Sequence, residues 1–328
     1  METRPYGDSG LRVPVLGFGA MQVGDPALAE THVERLLHHV LDRGLTLLDT
    51  ARSYGLAEER IGRHLARRRD EFILSTKVGY GVPGIPDWTY ECVLAGVDAA
   101  RDRLRTDVID IVHLHSCGLA TLEAGTVTRA LARCRELGKI RVAAYSGDGD
   151  ALRFAATSVT SPGSAGEVAR SAGEGSEIEG PSPQPSPAHA GEGAFQGLQA
   201  SVNLCDQQAL PLLQAARSRG VGTVAKRSLA GRPWQGTFSG DPVHDEYRRR
   251  FDALRSRLPL EVEDWEEFCL RFAAFAPGVD CVIVGGVNVA NVDRNIAAVT
   301  RGPLMLHARS AVAAAWNRAG GRDWQGLV

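Results

Sequence analysis

Three apolar runs in this chain of 328 residues each end in a different ionisable side chain. Leu45-Thr46-Leu47-Leu48 runs into Asp49, Phe72-Ile73-Leu74-Ser75-Thr76 into Lys77, and Ile109-Asp110-Ile111-Val112-His113-Leu114 into His115, with Tyr54 in the loop just after the first. An isolated tyrosine ionises near about pH 10 and is a poor acid at neutrality. A neighbouring ammonium favours its phenolate, so Lys77 is expected to lower the pKa of Tyr54, with Asp49 holding Lys77 charged and oriented. His115 is read as a hydrogen-bonding group for a substrate oxygen or as part of a proton relay with Tyr54. Such a set can protonate a carbonyl oxygen while hydride reaches the carbon. The same lysine could instead serve as the Schiff-base amine of a cofactor-independent lyase or isomerase, which Asp49 opposes by keeping the amine protonated.

Taken singly, each residue has a plainer reading. Asp49 suits a turn or a helix cap, Lys77 a solvated rim, Tyr54 a packed loop, and His115 a core hydrogen bond. His113 is expected to be a core histidine. Cys117 lacks any arrangement that would make it a nucleophile, and RHLARRRDE reads as a solvated helix face.

For the four groups to meet, the runs must be parallel barrel strands whose C-terminal ends share one rim. Short apolar runs alternate with helical patterns along the chain, which is the signature of βαβ units. The expected strands are Val15–Met21, Leu45–Asp49, Phe72–Val78, Val108–His115, Ile140–Ser146, Leu198–Leu204, Gly222–Arg227 and Cys281–Gly285. Helices are expected over Ala29–Arg43, Ala57–Arg69, from an N-cap at Thr89, over Thr121–Leu137 closed by Gly138, and over Leu210–Arg219, Glu261–Ala276 and Val289–Val299. Eight strands alternating with helices favour a single closed (β/α)8 TIM barrel spanning 1–328 over an open sheet.

From 157 to 197 the chain is rich in Ser, Pro, Gly, Ala and Glu, with PSPQPSP at its centre. Such a low-complexity insertion buries too little apolar surface to offset its ordering entropy and is expected to be disordered. It falls between a helix and the sixth barrel strand, on the face opposite the proposed site, and is expected to leave activity intact.

An apolar content of 44% supports a large core, and a net charge of -2 gives no electrostatic case for nucleic acid or an anionic membrane. The six cysteines are scattered without metal-ligand spacing, so no metal is expected and they read as buried hydrophobes of a reducing compartment. The polar N-terminus lacks a secretory signal, and no apolar stretch approaches the roughly 20 residues of a membrane span. A cytoplasmic location follows as the expectation. Oligomeric state stays open, a monomer being the simpler expectation.

The stretch LLDTARSYGLAEERIG, followed by STKVG and VIDIVHLHS, resembles the aldo-keto reductase superfamily, whose motifs run D-T-A-x-x-Y-G-x-x-E, then a strand-end Lys, then an L-H pair. The resemblance extends from LRVPVLGFGAMQVGD to VNVANVDRNI, apart from the insertion. It implies a (β/α)8 barrel that reduces an aldehyde or ketone to an alcohol, or the reverse, acting on a small-molecule carbonyl. Asp49, Tyr54, Lys77 and His115 fall on the family's tetrad, with Tyr54 as general acid. The resemblance further implies NADPH, with NADH possible, held across the barrel mouth. Gly19, Ala20 and Met21 match the wall beside the nicotinamide, together with Asp49; Ser146 and Gln199 match the carboxamide site. Gly147 stands where Asn is usual, and Lys226 where many members stack an aromatic ring. Arg227, Ser228 and Leu229 match the loop at the pyrophosphate. Gly285, Gly286, Asn288, Asn291 and Asn295 resemble the adenosine-phosphate pocket, Asn291 replacing a basic residue. Barrels of this kind also allow a second reading, a nicotinamide-binding regulatory protein with little turnover.

Overall fold

The strand-end pattern is realised as a period of two. In a computed structural model that describes residues 1–158, 195–236 and 238–327, a short antiparallel hairpin of β1 (Thr3–Pro5) and β2 (Arg12–Pro14) precedes the barrel. The barrel strands are β3 (Leu16–Gly19), β4 (Leu47–Asp49), β5 (Ile73–Val78), β6 (Ile109–His115), β7 (Ile140–Ser146), β8 (Gly197–Ser201), β9 (Gly222–Lys226) and β10 (Cys281–Gly285). They close in chain order, β10 pairing with β3, and every pairing is parallel. The expected (β/α)8 barrel is the fold.

Alternation along each strand sorts the side chains between two cores. Leu48, Leu74, Val112, Leu114, Tyr145 and Leu198 pack outward beneath the helices. Leu47, Ile111, Val142, Ala144, Val224 and Cys281 form an inner cluster, closed from below by Tyr6, Leu11 and Val13 of the hairpin. The same period turns Asp49, Ser75, Lys77, His113 and His115 to the inner side. Register completes the ring: Gly285 lies beside Gly19, Gly19 beside Asp49, Asp49 beside Ser75, Lys77 beside His113, His115 beside Ser146, and Ser146 beside Gln199.

The outer layer is α1 (Glu30–Asp42), α2 (Ala57–Leu65), α3 (Tyr90–Leu104), α4 (Leu119–Glu123), α5 (Thr126–Glu136), α6 (Gly149–Thr157), α7 (Leu210–Arg217), α8 (Pro242–Arg255), α9 (Trp265–Ala274), α10 (Val289–Thr300) and α11 (Leu306–Arg318). Thr89 caps α3 as expected, its hydroxyl accepting from the Cys92 amide at 3.1 Å. The helix read over Thr121–Leu137 is two helices, because Gly125 takes a left-handed φ of 71° and breaks the turn between α4 and α5. The helix read to Arg69 ends at Leu65 and continues as a 3-10 turn to Glu71. Its arginines are not simply solvated: Arg69 binds the Phe72 and Val108 carbonyls and the Asp110 carboxylate.

Neither α8 nor α11 was expected, nor was the hairpin, so the expected alternation understates the outer layer. The insertion lies outside the described residues, except at its margins, where the Phe195 amide faces the Ser158 carbonyl at 3.4 Å. All six cysteines are buried and free. Among the described residues, no helix is long and apolar enough to cross a membrane.

Candidate active site

Asp49 ends β4, Lys77 lies one residue from the end of β5, and His115 ends β6, so barrel geometry brings the three to one rim. Tyr54 joins them from the turn before α2. That turn is clamped by a close backbone approach: a Cβ on Gly24 would lie 1.6 Å from the Tyr54 carbonyl oxygen, and the Leu56 amide donates to Gly24 at 3.0 Å. Gly55 has a left-handed φ of 55° and lets the chain leave Tyr54 toward α2.

Lys77 is buried, and its Nζ donates to Asp49 Oδ2 at 2.6 Å and to the Thr50 carbonyl at 2.8 Å. Ser75 Oγ at 2.8 Å and Gln199 Nε2 at 3.0 Å donate to the other oxygen, Asp49 Oδ1. Burial alone would push the Asp49 carboxyl up and the Lys77 ammonium down. The mutual attraction and these hydrogen bonds overcome it, leaving the carboxyl below and the ammonium above their ordinary ranges. The pair is therefore ionised.

Lys77 Nζ lies 5.0 Å from the Tyr54 ring centroid, and both side chains line one cavity. The phenol does not titrate as the sequence suggests. Burial raises its pKa more than Lys77 lowers it, and the Asp49 charge adds to the rise. The net direction is upward, which corrects the expected fall: Tyr54 is a protonated donor held beside a cation.

His115 stands edge-on to Tyr54, with ring centroids 6.0 Å apart. Burial first, then the Lys77 charge, lowers its pKa to about 3, so the ring is neutral at physiological pH. Its Nδ1 is 2.7 Å from the Tyr80 hydroxyl. His113 is the buried core histidine expected, its Nε2 3.1 Å from Ser75 Oγ.

All four of these groups border a cavity of about 690 Å³, together with Gly19, Met21, Ser146, Gln199, Lys226, Arg227, Ser228, Leu229 and Gly285. Ser146 Oγ donates to Gln199 Oε1 at 2.8 Å, a hydroxyl–amide pair of the chemistry a carboxamide needs. Lys226 is turned inward, where its Nζ lies 3.1 Å from Asp148, which also accepts from the amide and hydroxyl of Ser201. Burial lowers the Lys226 pKa against the opposing pull of Asp148. At Gly147 a Cβ would meet the Tyr145 hydroxyl at 2.2 Å, so that ring occupies the space an Asn would need.

The remaining named residues lie apart from this cavity. Ala20 is buried, and its amide donates to the Asp49 carbonyl. Gly286, Asn291 and Asn295 line a small adjoining crevice that shares Gly285, and a Cβ on Gly286 would meet nothing within 4 Å. Asn288 caps α10, its carbonyl oxygen accepting from the Ala290 amide at 2.8 Å. A helix N-terminus and a hydroxyl–amide pair at the two ends, with a guanidinium between, are a donor set that could hold a dinucleotide.

The sequence reading missed the wall formed by Arg232, Asp241, Val243, His244 and Tyr247. Its signal was present: Asp241 followed by Pro242 is a helix start, and Tyr247, Phe251 and Leu254 recur at helical spacing. Tyr80 was missed too, because it lies beyond the end of β5, where no periodicity marks it.

Residues 15–153 match the sequence profile of the Aldo/keto reductase family. L-galactose dehydrogenase of Arabidopsis thaliana is 26% identical over 92% of this chain and 88% of its own. L-glyceraldehyde 3-phosphate reductase of Escherichia coli is 32% identical over 44% of this chain and 46% of its own. The holo form of an aldo-keto reductase from Bacillus halodurans superposes with a TM-score of 0.74 at 23% identity, covering 96% of both chains. Over its first half the chain is thus similar to the Aldo/keto reductase family, and its whole barrel has the fold of a solved aldo-keto reductase.

Proposed function

We propose that this chain is a nicotinamide-dependent enzyme that reduces an aldehyde or ketone to an alcohol and runs the reverse oxidation, with Tyr54 as the proton donor of reduction. One observation carries the reading: a protonated phenol, a buried Lys77–Asp49 pair and a neutral imidazole share one cavity with the Ser146–Gln199 pair. Relatives named as dehydrogenases and reductases support oxidoreductase chemistry in general.

A reduced nicotinamide, when bound, would supply the hydride. Ser146 and Gln199 would hold its carboxamide against the wall of Gly19 and Met21, with Lys226 beside them. Arg227, Ser228 and Leu229 would flank the pyrophosphate. Gly285, Gly286 and the start of α10, with Asn288, Asn291 and Asn295, would meet the adenosine phosphate. NADPH is the favoured form, with Arg294, which donates to Asn291, available to a 2′-phosphate. The chain's own part is to fix the carbonyl oxygen between Tyr54 and His115. As negative charge grows on that oxygen, the Tyr54 proton moves to it, and the ammonium of Lys77 stabilises the phenolate left behind. The names of the relatives, which include dehydrogenases of L-galactose and of D-threo-aldose, favour a hydroxylated carbonyl of sugar type.

A second reading, a regulatory subunit that binds cofactor with little turnover, has the support of a 122-residue likeness, at 33% identity, to a protein named as a probable voltage-gated potassium channel subunit beta, a subunit rather than an enzyme. Fluorescence titration with NADPH and NADH, followed by a carbonyl panel, separates the two. Turnover is expected, and Tyr54→Phe is expected to bind cofactor as the parent does while losing about 10²- to 10⁴-fold in kcat. Binding without oxidation of cofactor across the panel would favour the regulatory reading. An unaltered kcat in Tyr54→Phe would remove Tyr54 as the acid.

A further inference from the structure

His115 is held by a second phenol whose role lies outside the tetrad. The Tyr80 hydroxyl is 2.7 Å from His115 Nδ1 and 3.0 Å from Ser53 Oγ, and the two rings stack with centroids 5.6 Å apart and planes at 24°. Trp88 also packs on Tyr80, at 5.6 Å between centroids and 59° between planes. That indole sits where a Cβ on Gly79 would be, 2.1 Å from its ring, so the Gly79 position admits no side chain without displacing it. Tyr80 is therefore fixed by packing, and its hydroxyl is aimed.

We infer that Tyr80 is a positioning residue that locks His115 as the Nε2–H tautomer, so that the imidazole presents a hydrogen-bond donor to the substrate oxygen. A neutral imidazole carries one proton, and which nitrogen holds it is set by the hydrogen bond made at the other. The Tyr80 hydroxyl has a single proton to share between its two neighbours. A phenol is a far stronger acid than the N–H of a neutral imidazole, and the imidazole nitrogen is a stronger base than a serine hydroxyl. The phenol proton therefore goes to Nδ1, and the Tyr80 oxygen accepts from Ser53. Nε2 then bears the ring proton, and among the described residues it has no hydrogen-bond partner, while the side chain borders the cavity. Burial supports the arrangement by keeping the ring neutral, with a pKa of about 3. A donor at that place adds to Tyr54 in polarising a carbonyl, whereas a bare nitrogen would repel its oxygen.

The catalytic consequence rests on the reductase reading above; the tautomer itself does not. Histidine-labelled full-length chain gives the test, through long-range proton–nitrogen correlation of the His115 ring at neutral pH, assigned with His115→Asn. The parent and Ser53→Ala are expected to show a protonated Nε2 and an unprotonated Nδ1. Tyr80→Phe, which keeps the stack but removes the hydroxyl, is expected to show a mixture. Its kcat for reduction should fall about tenfold, the scale of one lost hydrogen bond, with cofactor affinity unchanged. A proton on Nδ1 in the parent, a tautomer shift in Ser53→Ala, or an unaltered ring in Tyr80→Phe would each overturn the inference. If the parent turns over no carbonyl while the ring behaves as expected, the reductase reading fails and the lock stands.

Discussion

Lys77 has two partners whose demands differ. Its bond to Asp49 is a buried ion pair at 2.6 Å, and removing one member of such a pair leaves an uncompensated charge. Lys77→Met is therefore expected to lower stability by about 3–5 kcal/mol, read from denaturant midpoints. It also removes the cation that restrains the rise in the Tyr54 pKa. A phenol donates only while protonated, so on the proposed role of Tyr54 reduction is expected to fall as pH rises through its folded-state value, which lies above the ordinary 10.0. In the variant that alkaline limb should move to still higher pH as kcat falls. On the acid side, the His115 value of about 3 leaves no titration of the ring between about pH 5 and 8. The rate of a single turnover of bound cofactor should be flat there, and a break near pH 6.5 would mean that the imidazole titrates in the working range. Residue types and order made this cluster legible in the sequence. The sign of the shift at Tyr54 was not, because it depends on how much water the fold removes from the phenol.

Among the helices, the approach of α2 to α3 is set by one residue. A Cβ on Gly62 would lie 2.2 Å from the Arg103 carbonyl oxygen. Gly62→Ala must then push the helices apart or tilt one, an overpacking cost of about 1–3 kcal/mol. The denaturation midpoint should fall with the slope unchanged, and kcat should fall with it, since α2 begins at the Tyr54 turn. A variant as stable as the parent would mean that the two helices have slack. Legibility varied in the same way. The α3 cap at Thr89 is local chemistry and was read correctly, whereas the break at Gly125 depends on a φ that a glycine allows but does not announce. Helix α11 hid because its inner face is Ala308, Val312, Ala315 and Trp316, whose mostly small side chains give periodicity too weak a contrast to register.

For the whole molecule, the barrel separates chemistry from linkage. Strand C-termini carry the candidate site, while α6 ends and β8 begins at the opposite rim, residues 159–194 joining the two in sequence. Its margins already meet, with the Phe195 amide and Ser158 carbonyl 3.4 Å apart. Shortening a connection between fixed ends changes closure entropy by only about 0.6 kcal/mol per halving. Replacing residues 160–193 by a few glycines is thus expected to alter kcat/KM and the thermal midpoint by less than about twofold and a few degrees. A large loss of either would give the segment a role in the barrel.

Strand-end Asp, Lys and His, the following Tyr, and the alternation of apolar runs with helical patterns set the barrel and its reactive rim, because period and spacing are properties of the chain itself. Tertiary structure alone decided which residues fill the opposite wall of the cavity, why Gly147 faces Tyr145, that Lys226 pairs with Asp148, and that Tyr80 reaches His115. Each of those depends on distances between segments far apart in sequence and on the water excluded between them. No local pattern encodes either quantity.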